Sequence, residues 1–290
     1  MNKRFHLIDV FADQPFTGNP LPVVHDADDL STDQMQSITR WMNHSETAFL
    51  VSPRDALADY RVRIFTLERE MPFAGHPTLG SCHAWLAAGG ERMNDEIAIQ
   101  ECGVGLVPIQ VLGGKFAFAA PPLIRTGAVE ESTLDEIVKV LQLEPDQVKA
   151  SAWADNGPGW VVILLDSAQA VLDIEPVRQH HSRLDIGVVG AYPEGSNVAF
   201  ELRALFTDDY GNIREDPVTG SLNASAAQWL FETGKANTDY IASQGTKIGH
   251  AGRIQISRDA EDAVWVGGRT TTIVAGHLNL KANGTVAFSD

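Results

Sequence analysis

A carboxylate and a glycine turn stand together near residue 216, in a pattern that suits the binding of an anion. Asp216 and Pro217 end an extended segment, a tight turn follows at 219–221, and a helix is predicted over 223–231. The backbone N–H groups at the start of such a helix point at whatever lies in front of them, and the helix dipole favours negative charge there. Asp216 would then lie beside a bound anion. The alternative interpretation is a solvated acidic residue in a strand-to-helix turn.

The same arrangement occurs a second time, earlier in the chain. Residues 70–89 align with residues 215–234 at an offset of 145, which is half of the 290-residue chain. The aligned positions are Pro72 with Pro217, Gly75 with Gly220, and Gly89 with Gly234. The segments 108–111 and 253–256 align at the same offset. This repeat indicates an internal duplication, and it predicts two similar halves with a cleft between the two glycine turns.

A histidine and a glutamate add groups that could transfer a proton. His76 directly follows Gly75 and occupies the position that the second repeat gives to Ser221. Next to a helix start the imidazolium form is disfavoured, so a neutral His76 could donate or accept a proton. Glu46 begins an otherwise apolar predicted strand at 45–51, where an unpaired carboxylate is costly. The alternatives are a structural histidine and a strand-end glutamate that faces water.

Glu46, His76 and Asp216 in one cleft would suit proton transfer on a small substrate that carries a carboxylate. The helix starts would hold that carboxylate and stabilise the charge that develops as a C–H proton leaves. Apolar surroundings would raise the pKa of Glu46 toward the range that serves a general base. A second carboxylate nearby would separate the two protonation states, leaving one acid and one base.

The composition is that of an ordinary globular protein and argues against several classes of partner. Hydrophobic residues make up 44% and charged residues 21%, and the net charge of −16 argues against binding to nucleic acid or to an anionic membrane. No apolar run is long enough to cross a membrane and no signal-type segment follows the first residues, so we expect a cytoplasmic protein. Cys82 and Cys102 form neither a disulfide framework nor a zinc-binding spacing.

Common cofactor and metal motifs do not fit the sequence. Gly103 and Gly105 lead into a predicted strand rather than a helix, unlike the turn of a dinucleotide-binding fold. The turn at 219–221 is too short for a P-loop, and no lysine follows its glycine. Because adjacent residues on a helix diverge, we interpret His180 and His181 as a solvated helix surface rather than as a metal pair. We therefore expect neither a cofactor nor a metal ion.

The predicted elements alternate strands with two similarly placed helices. Ser31 fits the capping box of an early helix, and Ser132 is predicted to cap a later one. A proline pair marks the boundary between a first half at 1–120 and a second half at 121–280. The last residues, about 281–290, are predicted to cross back to the first half. The sequence therefore predicts an α/β or α+β protein of two similar halves.

Several motifs, in this order along the chain, resemble those of the PhzF family, the phenazine-biosynthesis-type isomerases and epimerases. The matching motifs are Gly18-Asn19-Pro20, Ser45-Glu46-Thr47-Ala48, Gly75-His76-Pro77-Thr78 and Asp216-Pro217-Val218-Thr219-Gly220-Ser221, with a weaker match at Gln244-Gly245. The resemblance implies the diaminopimelate-epimerase-like α+β fold, with two pseudo-symmetric halves. Each half would be a mostly antiparallel curved sheet or barrel around a central helix. The resemblance also implies a cofactor-independent active site between the halves and a homodimer.

By the same resemblance, Glu46 is the acid/base that transfers the proton, and His76 and Asp216 orient the substrate and share protons. The substrate-binding residues would be Ser45, Gly75, Thr219, Gly220 and Ser221. Many members of the family have Ala-His after the second Gly-Ser, whereas this chain has Leu222 and Asn223. This departure is compatible with a different subclass of substrate.

The implied function is that of a cofactor-independent isomerase or epimerase. It would move a carbon-bound proton on a small metabolite with a carboxylate. Two alternatives stay open. A non-catalytic module that binds small acids or a protein partner would use the same cleft without an ionisable residue at position 46. A hydrolase or lyase would need a positioned water molecule instead of a returned proton.

Overall fold

The chain divides into two compact units, each with its own strands and helices. The computed structural model describes residues 2–280. The first unit contains the chain up to Ala119 together with the residues from Gly267 onward, and the second unit contains Ala120–Val266. In chain order the strands are β1 (Asn2–Val10), β2 (Asn19–Val24), β3 (Glu46–Val51), β4 (Tyr60–Thr66), β5 (Glu70–Met71), β6 (Ile97–Cys102), β7 (Gly105–Leu112), β8 (Lys115–Ala119), β9 (Arg125–Gly127), β10 (Ala150–Asp155), β11 (Trp160–Leu165), β12 (Asp185–Ala191), β13 (Phe200–Thr207), β14 (Ile213–Asp216), β15 (Tyr240–Gln244), β16 (Gly252–Arg258) and β17 (Val264–Asn279). The α helices are α1 (Thr32–Met42), α2 (Gly75–Ala87), α3 (Glu131–Leu141), α4 (Ala168–Leu172) and α5 (Gly220–Glu232).

Eight strands of the first unit pair into a closed barrel. β1 pairs with both β2 and β17, and the ladder continues through β3, β4, β6, β7 and β8 back to β17. The pairs β2–β3 and β4–β6 are parallel. Closure removes the free strand edges that an open sheet exposes, so the barrel surrounds its contents on all sides.

Helix α2 lies against most strands of this barrel. It contacts β1, β2, β3, β4, β6 and β8, and its first eight residues are buried. Most of its residues are small or apolar and nine are buried, as expected of a helix that is enclosed over most of its surface. Gly80 permits the close approach, because a Cβ there would lie 2.6 Å from Cδ2 of Leu21 and 2.9 Å from Cγ2 of Val10.

Helix α1 has one buried face and begins at the capping box predicted at Ser31. The Ser31 side chain accepts a hydrogen bond from the Gln34 N–H, and the Gln34 side chain accepts one from the Ser31 N–H. This prediction is confirmed. The buried face carries Met35 and Ile38, which pack in one cluster with Phe49 of β3.

The second unit has a mixed sheet that runs from β9 to β16. β11–β12 and β13–β15 are parallel pairs, whereas β10–β11, β12–β13 and β15–β16 are antiparallel. A core of residues such as Ile137 of α3, Val171 of α4 and Val188 of β12 packs these two helices on the sheet. Helix α5 contacts β10, β11 and β16, and nine of its residues are buried. The fold class is α+β, as predicted.

Three predicted helix starts differ from the structure. α2 and α5 begin at Gly75 and Gly220, so each turn glycine is the first residue of its helix rather than part of a preceding turn. The predicted cap at Ser132 is wrong, because α3 begins at Glu131 with Glu130 as the N-cap residue. Glu130 has extended backbone angles, which allow the helix to start one residue before Ser132.

The interpretation of the histidine pair as part of a helix surface is also wrong. Neither His180 nor His181 is helical, and the preceding Gln179 forms an isolated antiparallel bridge with Asn212. Short β-type pairing therefore holds this segment, where the sequence had suggested a helix.

The chain returns to the first unit earlier than the sequence analysis placed the crossing. The return occurs at Gly267, inside β17, and residues 267–279 of that strand belong to the first unit. The predicted crossing by residues 281–290 lies outside the described residues. Among the helices of residues 2–280, none combines the length and apolar character that a membrane crossing requires.

Candidate active site

The first unit brings Glu46 and His76 together. Glu46 is the first residue of β3, and His76 is the second residue of α2. The Glu46 Oε2 atom lies 3.6 Å from His76 Nε2, and the two side chains are 18% and 4% exposed. Within residues 2–280, Glu46 Oε2 accepts no hydrogen bond. The carboxylate and the imidazole therefore face each other in a nearly dry environment.

The surroundings of Glu46 favour its protonated form. Burial, together with the nearby charge of Glu68, raises the pKa of Glu46 to about 7, although a hydrogen bond with the Ser45 side chain partly opposes the shift. A carboxyl group with a pKa near neutrality exists in both protonation states under ordinary conditions. Such a group can both give and take a proton, which is what a general acid/base requires.

Asn19 orients the imidazole of His76. Its side-chain nitrogen Nδ2 lies 3.5 Å from His76 Nδ1. An amide nitrogen can only donate, so in the tautomer whose Nδ1 accepts this contact the ring proton lies on Nε2, facing Glu46. Asp9 holds the loop that leads into Asn19, since its carboxylate accepts the N–H groups of Thr17 at 3.1 Å and Gly18 at 2.9 Å.

The second unit places Asp216 in a fixed hydrogen-bond network. Asp216 is the last residue of β14, and its Oδ2 atom accepts a hydrogen bond from the Thr219 hydroxyl at 2.5 Å. The Thr219 hydroxyl in turn accepts a hydrogen bond from Gln244 Nε2 at 3.0 Å. Because Gln244 supplies the donor, the Thr219 proton is directed at the carboxylate of Asp216.

Gln244, at the end of β15, is the centre of this network and was not predicted as a site residue. It is fully buried, and its Nε2 atom also donates to the Asp216 carbonyl at 3.1 Å. Its Oε1 atom accepts the Thr219 N–H at 3.1 Å and the Asn223 side-chain amide at 2.7 Å. The weaker motif at Gln244-Gly245 was the one sequence signal that pointed here.

Ser221 accepts hydrogen bonds from two residues that lie more than 60 positions before it in the second unit. The indole N–H of Trp160 donates to Ser221 Oγ at 3.1 Å, and Asn156 Nδ2 donates to the Ser221 carbonyl at 2.9 Å. Indole nitrogen is a donor only, so the Ser221 hydroxyl acts as an acceptor here and keeps its own proton for another partner. No local sequence pattern predicts these two contacts, since they join residues more than 60 positions apart.

The starts of α2 and α5 share a feature that distinguishes them from α1. Ala74 and Thr219, their N-cap residues, provide no side-chain hydrogen bond to the helix, whereas Ser31 caps α1. Helix starts without such a cap keep backbone donors that can serve an anion. The first residues of the two helices, Gly75 and Gly220, are both buried.

The predicted site residues therefore fall into two groups. Glu46 and His76 meet in the first unit, with Gly75 adjacent to His76 and Ser45 bonded to Glu46. In the second unit, Asp216 is linked to the N-cap residue of α5, next to which Gly220 and Ser221 follow in the helix. The described residues in these two groups offer carboxylates, an imidazole, hydroxyls and helix-start amides, which is a set suited to proton transfer and anion binding.

Comparison with known proteins identifies the family. Residues 8–276 match the PhzC-PhzF family, described as phenazine biosynthesis-like protein. The chain is 35% identical to antisense-enhancing sequence 1 of Schizosaccharomyces pombe, with 94% of this chain and 97% of that protein covered. It is 32% identical to a trans-2,3-dihydro-3-hydroxyanthranilate isomerase of Pseudomonas chlororaphis, with 85% and 87% covered. A PhzF-family crystal structure from Enterococcus faecalis has a TM-score of 0.77 at 23% identity and covers 97% of this chain and 100% of that one.

The protein belongs to the PhzF family, and the resemblance predicted from its motifs is confirmed. The solved structure supports the fold. Other curated relatives, which the chain matches over most of their length, carry isomerase names. The chain is accordingly an enzyme of the isomerase class.

Proposed function

We propose that this isomerase works without a cofactor and moves a carbon-bound proton on a small carboxylate metabolite by general acid/base catalysis. Glu46 would remove the proton and return it, either to another carbon or to the opposite face of the same carbon. The observation that carries the proposal is the Glu46 carboxylate, only 18% exposed and 3.6 Å from the His76 imidazole, with its pKa raised to about 7.

His76 supports this role as a neutral proton donor. With its ring proton on Nε2, it can donate to Glu46 or to a substrate atom that gains negative charge as the C–H bond breaks. The adjacent start of α2 favours that negative charge and disfavours an imidazolium. Carbanion character would thus be stabilised by the same element that positions the histidine.

The second unit would bind the substrate and hold its polar groups in place. The Ser221 hydroxyl and the backbone donors at the start of α5 suit a carboxylate, and Asp216 suits an N–H or O–H donor of the substrate. Positioning of this kind contributes to catalysis because the reacting atoms need no further search for their geometry.

The raised pKa of Glu46 favours catalysis over the two alternatives. A module that only binds small acids gains nothing from a buried carboxylate, which repels an anionic ligand when ionised. A hydrolase or lyase would need a water molecule positioned for attack, and the groups around Glu46 suit direct proton exchange with carbon instead. The expected homodimer and cytoplasmic location stay predictions.

The proposal is tested by incubating the purified protein in D₂O with a panel of small carboxylic acids that have an acidic C–H bond. The panel should include trans-2,3-dihydro-3-hydroxyanthranilate, because relatives are named for its isomerisation. A true substrate is expected to rearrange or epimerise and to gain deuterium at one carbon, as read by NMR and mass spectrometry. A proton carried internally between two carbons would instead give rearrangement without deuterium.

The Glu46→Gln variant provides the matched control. The amide keeps the shape of the side chain but cannot act as a base, so both turnover and exchange should stop while the acid still binds. Normal turnover by Glu46→Gln would refute the assigned role of Glu46. Tight binding of an acid that never reacts or exchanges would favour the binding-module alternative.

A further inference from the structure

The two adjacent histidines of the second unit lie beside a glutamate of α3. Glu136 Oε1 accepts a hydrogen bond from His180 Nε2 at 2.7 Å and lies 3.7 Å from His181 Nε2. One ligand atom from each of the three side chains falls within 4.8 Å of the others. The Ser182 hydroxyl donates to the same Glu136 oxygen at 2.9 Å, which orients the carboxylate toward the imidazoles.

The backbone around this cluster is held in place on both sides. The His180 N–H donates to the Gly211 carbonyl at 2.8 Å, and the Ile213 N–H donates to the Arg178 carbonyl at 2.9 Å. On the other side, Ile137 of α3 is fully buried in the core of the unit. The ligand-bearing segments are therefore anchored independently of any contact among the three side chains.

We propose that Glu136, His180 and His181 form a binding site for a divalent transition-metal ion such as Zn²⁺, Ni²⁺ or Co²⁺. Two imidazoles and one carboxylate are a donor set that suits these ions and leaves positions for water. Metal–ligand bonds of about 2.0–2.2 Å place neighbouring ligand atoms roughly 3.3–3.6 Å apart in a tetrahedral site. The two separations from Glu136, 2.7 and 3.7 Å, bracket that value, and all three ligand atoms lie within 4.8 Å of one another, so side-chain rotations can bring them to a common ion.

Exposure and charge at the cluster also suit a bound cation. The His181 side chain is 85% exposed and offers an entry path, whereas the His180 side chain is 12% exposed and firmly placed. The Glu136 carboxylate supplies the negative charge that faces the two imidazoles. On binding, the metal takes the place of the proton that His180 Nε2 shares with Glu136, and that proton is released to solvent.

A metal ion at this site would act as a structural clip rather than as a catalyst. It would join α3 to the segment that pairs, through Gln179 and Asn212, with the start of β14. β14 ends at Asp216, three residues after Ile213. The ion would therefore stabilise the strand that presents Asp216. This inference does not depend on the proposed proton-transfer reaction.

The test is calorimetric titration of the untagged full-length chain with ZnCl₂ and with CoCl₂, using MgCl₂ as the control ion. Zn²⁺ and Co²⁺ are expected to bind one equivalent, and Co²⁺ should give the visible absorption of a site with imidazole ligands. Mg²⁺ should not compete, because it prefers an all-oxygen shell. Thermal unfolding should shift upward with Zn²⁺, since the folded chain alone presents the site.

Single substitutions separate this site from adventitious binding. His181→Asn and Glu136→Gln should each weaken Zn²⁺ binding by about ten-fold or more, since even outer-shell changes cost that much at metal sites. His181 is exposed, so its replacement leaves the fold intact, and the metal-free unfolding temperature should match that of the wild type. His277→Asn, which changes a β17 histidine of the first unit, should bind Zn²⁺ like the wild type. Absence of Zn²⁺ binding to the wild type, or equal affinity in His181→Asn and His277→Asn, would overturn the proposal.

Discussion

The starts of α2 and α5 share an arrangement of hydrogen bonds but carry different functional groups. In both, the fourth residue of the helix bonds to a buried glutamine on a strand that follows: Thr78 to Gln100 at 3.0 Å, and Asn223 to Gln244 at 2.7 Å. In each unit that strand pairs in parallel with the second strand before the helix, β4 with β6 and β13 with β15. The matched contacts support the internal duplication that the sequence predicts.

The difference between the two starts concerns which groups can titrate. The first unit places a carboxyl of raised pKa against an imidazole. The second unit surrounds Asp216 and Ser221 with donors of fixed direction, from Thr219 and Trp160. Under the proposed function the two starts divide the labour: the first exchanges protons and the second holds the substrate.

The largest expected effects are on kcat and on substrate affinity, which substitutions at Glu46 and Ser221 should change separately. With the substrate found by the exchange screen, Glu46→Gln should lower kcat by roughly 10²–10⁴-fold and leave substrate affinity nearly unchanged. Ser221→Ala should do the reverse, weakening affinity by about 10–100-fold through the loss of a hydrogen bond to a charged carboxylate, with a smaller change in kcat. Steady-state kinetics and calorimetry measure both. Equal losses of kcat in the two variants would contradict the division of labour.

The two buried glutamines predict a difference in stability. Gln244→Leu removes four hydrogen bonds around Asp216 and Thr219, and it should lower the free energy of unfolding by about 3–6 kcal/mol. Gln100→Leu removes the bonds to Tyr60 and Thr78 and a weaker one to the Cys102 thiol, so a loss of about 2–4 kcal/mol is expected. Urea denaturation of both variants tests the order. A larger loss for Gln100→Leu would show that the second network is not the more constrained one.

The pKa of Glu46 gives a prediction that needs no substrate. A carboxyl whose pKa rises from 4.5 to about 7 on folding destabilises the native state once the pH exceeds the lower value, because the unfolded chain ionises first. The cost grows between about pH 4.5 and 7 and reaches at most about 3 kcal/mol above that window. Glu46→Gln should therefore be more stable than the wild type near pH 9 and no more stable near pH 4.

Denaturant unfolding at several pH values measures this difference. Glu68→Gln is the matched control, since Glu68 is an exposed neighbour that only adds to the shift on Glu46. Glu68→Gln should show only a small part of the stability gain that Glu46→Gln shows near pH 9. A stability difference between wild type and Glu46→Gln that does not change with pH would refute the raised pKa.

Local sequence signals predicted the elements and the residue types better than the contacts. The capping box at Ser31 predicted the start of α1 correctly, because both partners lie within one turn of helix. The glycine turns predicted where α2 and α5 start to within three residues. The cap at Ser132 failed because polar residues occupy every position from 130 to 133, and extended geometry at Glu130 decides where α3 begins.

The parts that the sequence did not predict depend on residues distant in the chain. Gln244 reaches Thr219 across 25 positions, and Trp160 reaches Ser221 across 61. Such contacts follow from strand pairing and helix placement, which no local period encodes. The prediction of a helix surface at His180 and His181 is wrong for the same reason, because Gln179 pairs with the distant Asn212 in an isolated β-bridge.

The close approach of helix to sheet is achieved differently in the two units, and this predicts a moderate effect. In the second unit a glycine on strand β12 leaves space for a side chain of α5: a Cβ at Gly187 would lie 2.2 Å from Leu222 Cδ1. Gly187→Ala should cost about 1–3 kcal/mol of stability through overpacking. Leu222→Ala in the same chain should relieve that strain. The loss of unfolding free energy in the double variant is therefore expected to be smaller than the sum of the two single losses.

Gly80→Ala is the matching change in the first unit, where the helix itself lacks the side chain. Its strain arises against Leu21 and Val10, so Leu222→Ala should give no relief. A double-mutant cycle on unfolding free energies compares the two cases. Additive losses for Gly187→Ala and Leu222→Ala would contradict the contact described here.

The smallest expected effect concerns Trp160, which tests whether the second start is held for binding. Trp160→Phe removes the indole N–H that donates to Ser221 Oγ but keeps most of the buried aromatic surface. The stability loss should be about 0.5–1.5 kcal/mol, and substrate affinity should fall a few-fold because the Ser221 hydroxyl loses its fixed direction. Trp153→Phe is the control, since the indole of Trp153 donates to Glu130 instead. An equal loss of affinity in both variants would mean that Trp160 acts through packing alone, whereas a loss confined to Trp160→Phe, with kcat unchanged, would assign it the orientation of Ser221.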